Sequence, residues 1–424
     1  MSCSSVGYRC LREARRNVTR HLNKTSVITT RRISSSHAIS YLFVNTGSDQ
    51  NNYNFYKSAF AALVSVGVCA ASISVAHAEP TEASKSSDKE SEILSQFARD
   101  CSRTSNGIKI FTGNSNKPLA RDIADHLGMS LGKITTGRFA DGEVNVVINE
   151  NVRGKDVYII QPTTPPTNET LMELLLMIST MRRASARKIT AIIPYYGYAR
   201  QDRKMQARVP ISAADVARLL EAMGVDRVVA VDLHCGQIQG FFGPRVPVDN
   251  LDGGTVGVSY FGDMDLVNPV IVSPDAGGVY RAKQFRDTLK KKHEVDCGLA
   301  MIVKQRAKAN EIERMDLVGS VDGCDAIIVD DMVDTAGTLC QAAEMLKASG
   351  ARRVFAFASH GVFSGPAASR ISDSKLTELV VLDTIPLSAE VAATGKITQL
   401  SVGPLLAQAI YNIHNKKSIS ALFK

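Results

Sequence analysis

Tryptophan is absent from this 424-residue sequence, and only 6% of it is aromatic. No stripe of lysine or arginine interleaved with aromatics runs along it, so nothing marks a nucleic-acid-binding surface. The eight cysteines (positions 3, 10, 69, 101, 235, 297, 324 and 340) include no C-x-x-C pair and follow no regular spacing. Neither a disulfide framework nor a zinc site is indicated, which fits a reducing compartment. Acidic residues are scarce at the start: residues 1–48 hold eight Lys/Arg and one acid, Glu13. The net charge of +8 therefore comes largely from one terminal segment, and the rest of the chain is near balance. Hydrophobic content of 44% supports a sizeable core and excludes a disordered chain.

Residues 1–57 have the Arg- and Ser-rich, acid-poor composition of an organelle transit peptide. Arginines spaced through RCLREARRNVTR suit a basic amphipathic helix, which puts mitochondrion ahead of plastid. Residues 58–78, SAFAALVSVGVCAASISVAHA, are mostly apolar and end in an A-x-A-like sequence. Two readings stay open: insertion in a membrane, or a second sorting signal with a cleavage site. The intermembrane space and the thylakoid lumen stay open with it. Residues 79–106 form a linker by composition.

From residue 107 strand and helix patterns alternate. IKIFTG (108–113), VYIIQ (157–161), ITAIIPY (189–195), RVVAVDLH (227–234), PVIVSPD (269–275), AIIVDD (326–331), RVFAFASH (353–360) and ELVVLDT (378–384) are continuous apolar runs. That pattern predicts parallel strands buried on both faces. A helix is expected near 117–127, and another behind Asn168 as its N-cap. These βα units imply an α/β protein of two doubly wound parallel-sheet domains, since there are too many strands for one ordinary sheet. The split falls near residue 250, giving domains at 107–250 and 251–410 and a C-terminal tail at 411–424. Polar loops at the carboxyl ends of the strands are where such folds bind ligands.

VDDMVDTAGT (329–338) carries three aspartates and then a Gly/Thr loop. Leu339, Ala342, Ala343 and Leu346 follow at helical spacing, so the unit is strand, loop, helix. A loop that opens a helix cradles an anion, yet carboxylates repel one. A solvated acidic turn does not resolve this, because acids at the end of a buried strand are costly unless paired or liganded. A sugar phosphate does. Its vicinal hydroxyls donate to the carboxylates, and its 5′-phosphate takes the N–H donors.

This run resembles the PRPP-binding motif of the type I phosphoribosyltransferase fold, with Ala336 at a position that varies there. RFADGEVNVVINENVRG (138–154), PYYGYARQDRK (194–204), DLHCGQIQGFF (232–242), SPDAGG (273–278) and KQRAKAN (304–310) extend the resemblance over about 107–424. Together they are similar to ribose-phosphate diphosphokinase, the PRPP synthetase family, and SISALF (418–423) fits its phosphate-activated class I form. The resemblance implies transfer of pyrophosphate from Mg-ATP to the 1-hydroxyl of ribose 5-phosphate. Lys304 and Arg306, on a polar loop after LAMIV (299–303), are the implied transition-state cations, with His234 beside them. Phe139, Asp141, Gly142, Glu143, Arg200, Gln201, Asp202 and His234 are the implied ATP contacts. Arg306, Asp330, Asp331, Asp334, Thr335, Ala336, Gly337 and Thr338 are implied for ribose 5-phosphate, and Asp232, His234 and Asp275 for Mg²⁺.

In class I members inorganic phosphate activates at positions matching Asn151, Arg153, Ser185 and Ser418. The family also implies a homo-oligomer, usually a hexamer, that completes the ATP site across subunits. Two departures are visible: Cys235 stands where a small polar residue or Ala is usual, and GPRVPVD (243–249) is two residues longer than the usual connection. A phosphoribosyltransferase would have no use for ARQD plus KQR. A non-catalytic associated subunit, the other rival, should lack Lys304 or Arg306.

Overall fold

The computed structural model describes Arg99, residues 107–308 and residues 311–423, with the backbone alone for 304–308, 311–314, 421 and 423. The expected transit, apolar and linker segments (1–57, 58–78, 79–106) lie outside the described residues, Arg99 aside. No helix among the described residues is long and apolar enough to cross a membrane.

The first sheet is five-stranded and wholly parallel. Its strands are β1 (Ile108–Thr112), β4 (Asp156–Ile160), β5 (Lys188–Ile193), β6 (Arg227–Val231) and β7 (Val248–Leu251), side by side in chain order. A separate antiparallel hairpin, β2 (Ile134–Arg138) and β3 (Val144–Ile148), stands beside it. The second sheet has seven strands: β8 (Val270–Ser273), β9 (Gly298–Lys308), β10 (Glu311–Val318), β11 (Asp325–Val333), β12 (Arg353–Gly361), β13 (Glu378–Leu382) and β14 (Ile397–Leu400). They run in the order β10-β9-β8-β11-β12-β13-β14, and only β10 is antiparallel.

Continuous apolar runs become strands because each has two buried faces to supply. Along β4, Tyr158 and Ile160 enter one core while Val157 and Ile159 enter another. Along β11, Ile327 and Val329 face the first of these, and Ala326 and Ile328 face a third. The shared core takes residues from both sheets and from four helices: α1 (Lys117–His126), α4 (Gly254–Gly262), α5 (Val279–His293) and α9 (Gly403–His414). The outer face of the first sheet is covered by α2 (Thr167–Arg183) and α3 (Ser212–Met223). The outer face of the second is covered by α6 (Gly337–Ala348) and α7 (Ala367–Asp373). A short helix, α8 (Ala389–Ala392), precedes β14.

Several expectations are corrected. Helix α2 starts at Thr167, after Pro166, so Asn168 is its second residue and not its N-cap; the Asn168 side-chain Oδ1 accepts from the Tyr198 hydroxyl instead. The boundary at 410/411 cuts α9, which continues to His414 because Ile410 and Tyr411 are still buried in the shared core. Within KQRAKAN, residues 304–308 are no free loop: they continue β9 and pair with β10 at the edge of the sheet. β6 stops at Val231, so Asp232, Leu233 and His234 lie on the turn after it.

Asp325 pins the start of β11. Its side chain is fully buried, and it accepts from Arg352 Nε (2.9 Å), Arg353 Nη2 (2.7 Å) and the Val267 amide (2.8 Å). Burial acts to raise its pKa, but the two guanidiniums outweigh that and hold the carboxyl below the usual range. Asp325→Ala should destabilise by about 2–3 kcal/mol, the scale of lost charge-assisted hydrogen bonds. Because the folded pKa is depressed, the stabilisation is present above the unfolded value, about 3.9, and is lost as pH falls below it. Urea midpoints of wild type and variant at pH 7 and pH 3 check this: the gap should be wide at pH 7 and narrower at pH 3.

Candidate active site

A cleft of 1390 Å³ lies at the carboxyl ends of the strands of both sheets. The first sheet contributes Arg200, Asp202 and the turn 232–237. The second contributes Asp275, Arg281 and all of 329–339. The expected acceptor-loop residues Asp330, Asp331, Asp334, Thr335, Ala336, Gly337 and Thr338 thus line one space with the expected metal residues Asp232, His234 and Asp275.

Two side-chain contacts join the acceptor loop to the first-sheet side. His234 Nδ1 lies 2.7 Å from Asp331 Oδ2, and Arg200 Nη1 donates to Asp334 Oδ2 at 2.6 Å. Arg281, on α5, reaches 3.4 Å from Asp331 Oδ1 and 3.6 Å from Asp330 Oδ1. Burial works to raise Asp331, but His234 and Arg281 outweigh it and keep it ionised. Burial and the Asp331 carboxylate push Asp330 the other way, up to about 8. Two adjacent carboxyls cannot both ionise cheaply. The pair therefore wants a hydroxyl donor or a cation, as the sequence argument required.

The phosphate end of the loop is local in origin. Ala336 sits at φ +58 as the residue capping α6, and Arg370 Nη1 holds the Thr335 carbonyl at 2.9 Å. Helix α6 opens at Gly337, so its first-turn amides have no intrahelical acceptor and form the positive end of the helix dipole. This suits a phosphate.

The turn after β6 carries the opposite side. Asp232 stands at φ +40. Burial and Asp252 raise its carboxyl to about 7, against the Ser359 hydroxyl, which lowers it. His234 is raised by its bond to Asp331. Cys235 donates to Asp202 Oδ2 at 3.0 Å, and burial with that bond lifts the thiol to about 11. Asp275 Oδ1 accepts from the Gly278 amide at 3.0 Å, which shapes the SPDAGG turn. Gln201 lies beside the cleft residues but bonds Ser212.

The remaining sequence candidates are elsewhere. Phe139, Asp141, Gly142 and Glu143 form the tip of the β2–β3 hairpin, outside the cleft lining. Gly142 turns at φ +95, Glu143 N donates to Asp141 Oδ1 at 3.0 Å, and Phe139 is 54% exposed. Asn151, Arg153 and Ser185 come together away from the cleft. The Arg153 amide donates to Asn151 Oδ1 at 3.0 Å, and Arg153 Nη1 donates to Ser185 Oγ at 3.2 Å. Ser418 is on the turn after α9, where its carbonyl accepts from Asn412 and its hydroxyl from the Ser420 amide. Lys304 and Arg306 are on β9, where their backbones pair with Met315 and Ile312; their side chains lie outside the described residues.

Sequence reasoning missed Arg281, Ser359 and His360. Arg281 gave no signal beyond a cation on a helix. Ser359 and His360 did give one, a polar pair ending the apolar run RVFAFASH, the same placement that drew attention to Asp330 and Asp331.

Two sheets, one wholly parallel and one parallel but for its edge strand β10, that meet at an acid-and-amide loop define an α/β protein of the type I phosphoribosyltransferase fold. A solved phosphoribosylpyrophosphate synthetase from Mycobacterium smegmatis superposes with TM-score 0.67 at 39% identity, covering 73% of this chain and 99% of that one. Residues 108–224 match the model for the N-terminal domain of ribose phosphate pyrophosphokinase, and residues 286–424 match that for the phosphoribosyl synthetase-associated domain. A Vibrio vulnificus (strain YJ016) ribose-phosphate pyrophosphokinase is 56% identical over 317 residues, 74% of this chain and 99% of that protein. The Pasteurella multocida (strain Pm70) protein of that name is 54% identical over 318 residues, again 74% of this chain and 99% of its own length. The chain belongs to the ribose-phosphate pyrophosphokinase family.

Proposed function

We propose that the cleft transfers a diphosphoryl group from ATP to the 1-hydroxyl of ribose 5-phosphate, giving PRPP and AMP for nucleotide synthesis. The His234–Asp331 contact at 2.7 Å carries this reading, because it sets a phosphate-side group one hydrogen bond from the ribose-side acids. Asp330 and Asp331 accept from the ribose hydroxyls, and the 335–338 loop holds the 5′-phosphate. Arg200 and His234 hold the ATP phosphates, and Gln201 and Asp202 complete the ATP site. The 1-hydroxyl attacks the β-phosphorus, the bond to the α–β bridging oxygen breaks, and AMP leaves with that oxygen. Catalysis comes from positioning and charge stabilisation without a covalent enzyme intermediate. Lys304 and Arg306 meet the charge that develops on the β-phosphoryl oxygens.

The donor set fits Mg²⁺. No group of three His, Cys, Asp or Glu among the described residues forms a closed cation site. Mg²⁺ needs no such cage: it takes one or two carboxylates, waters and substrate phosphates, and the unequal Asp330–Asp331 pair gains from a nearby cation. When bound, Mg²⁺ neutralises phosphate charge; His234, with Asp232 beside it, would hold it on the ATP side and Asp275 at a second position near the ribose.

The exposed hairpin tip at 139–143 suits a role completed by a second copy of the chain, which supports a homo-oligomer, with a hexamer as the family expectation. Arg153, beside Asn151 and Ser185, presents a fork of donors to an anion, which supports activation by inorganic phosphate. Arg153→Ala should lose phosphate activation severalfold while the ATP KM at saturating phosphate stays near wild type. Titration of rate against phosphate checks it; unaltered dependence would move the regulatory site elsewhere. For residues 1–95 we propose organelle targeting, mitochondrial first and plastid second. Fused to a reporter, that segment should deliver it to an organelle, and a diffuse cytosolic signal would refute this.

One coupled assay tests the activity: AMP release from ATP that depends on ribose 5-phosphate. A non-catalytic subunit or a PRPP-consuming transferase would release none.

A further inference from the structure

Asp232 and His234 belong to the first sheet, where the Leu251 carbonyl accepts from the Asp232 amide and Asn250 Oδ1 from the Leu233 amide, yet two further groups that fix their turn come from the second. Ser359 and His360 end β12 and are buried, at 0% and 2% exposure. The Ser359 hydroxyl donates to Asp232 Oδ2, which also accepts from the Gly253 amide at 3.0 Å. His360 Nε2 lies 3.1 Å from the Val231 carbonyl and 3.2 Å from the Asp232 carbonyl. Both partners of Nε2 are acceptors only, so Nε2 carries the proton. The Thr384 hydroxyl, which donates to the Ser359 carbonyl at 3.0 Å, lies 2.9 Å from Nδ1, and the Tyr195 ring stands edge-on at 5.1 Å between centroids.

We propose that Ser359 and His360 are positioning residues that hold the 232–234 turn from across the sheet boundary and thereby set the His234 ring against the acceptor loop. Side chain and carbonyl of Asp232 are both gripped, on either side of a backbone at φ +40. Such a conformation persists only where its surroundings over-determine it. The next-but-one residue is His234, whose Nδ1 must meet Asp331 Oδ2. β12 pairs directly with β11, Ala358 opposite Asp330 and His360 opposite Met332. One rigid pair of strands therefore carries the ribose-side acids and also clamps the phosphate-side turn. His360 lies outside the cleft lining and Ser359 reaches it beside Asp232; each acts through Asp232. The inference rests on the reading of His234 as a phosphate-side contact.

Four variants test it, each checked for fold by circular dichroism and thermal unfolding. His360→Leu keeps bulk but has no donor for the two carbonyls. His360→Gln keeps a donor at about the reach of Nε2. Displacements of about 1 Å remote from the chemistry cost on the order of 10² in rate. His360→Leu should therefore lose about 10² in kcat with the ribose 5-phosphate KM within about twofold. His360→Gln should recover to within about tenfold of wild type, and Ser359→Ala should lose about tenfold. A merely structural role would lower the melting temperature of Leu and Gln variants alike and leave kcat of the folded fraction intact.

Wild-type kcat in folded His360→Leu, or a loss that Gln does not restore, overturns the proposal. If the Leu variant fails to fold, Ser359→Ala decides, and an unchanged kcat there overturns it. His234→Ala separates the two levels. A slow His234→Ala beside a fully active His360→Leu rejects the clamp alone, whereas a fully active His234→Ala rejects the site reading and the clamp with it.

Discussion

Lys304→Ala should fold, bind Mg-ATP nearly as wild type, and turn over on the order of 10²–10³ times more slowly. The proposed partner of Lys304 is charge that appears only as the β-phosphoryl group transfers. A contact of that kind is weak in the ground state, so its loss belongs in kcat and not in either KM. The backbone supplies the rest of the argument. Residues 304–306 stand on β9, paired antiparallel with β10, and β9 joins the sheet through β8. β8 ends in the SPDAGG turn that lines the cleft. The hairpin is thus rooted beside the site, at the edge of the sheet where few neighbours hold it. Steady-state kinetics and an ATP titration on the variant check this, and a kcat within about threefold of wild type would take Lys304 out of the mechanism.

Asp330→Asn and Asp331→Asn should separate, although the residues are adjacent. Asp330 faces its neighbour and Arg281, so its loss should raise the ribose 5-phosphate KM and leave the ATP KM alone. Asp331 also holds His234 at 2.7 Å. Its replacement should raise both. A lost hydrogen bond to a charged group is worth about 1.5–3 kcal/mol, or roughly 10- to 150-fold in each affected constant. Thr338→Val should act on ribose 5-phosphate alone, through the 5′-phosphate. Substrate-binding titrations on the three variants check the pattern. A rise in the ATP constant alone for Asp330→Asn would reverse the assignment of the two ends of the cleft.

The parallel strands were legible because each is an apolar run with two faces to bury, as Val157–Ile160 and Ala326–Val329 are. The site was legible where charge interrupts such a run, at Asp330 and Asp331. The β2–β3 hairpin was not. ITTGR and VNVVI are half-exposed, and the D-G turn between them resembles any surface turn. The β9–β10 hairpin was hidden for a related reason: an antiparallel edge ladder tolerates KQRAK, which reads as loop by polarity. β7 and β14 are four residues each and carry little pattern. Arg281 and the Ser359–His360 clamp act across elements far apart in sequence, and periodicity holds no record of such pairings. The helix running through residue 410 shows the same limit. Only the shared core between the two sheets explains why Ile410 and Tyr411 continue α9.

The central claim is attack at the β-phosphorus of ATP by the ribose 1-hydroxyl, and oxygen-labelled ATP tests it most directly. The chain is incubated with ribose 5-phosphate, Mg²⁺ and ATP bearing ¹⁸O in the α–β bridging position, and the products are separated and read by mass spectrometry. The account predicts AMP carrying the bridging ¹⁸O and a sugar diphosphate without it. ADP as the nucleotide product, or ¹⁸O leaving with pyrophosphate, would contradict it.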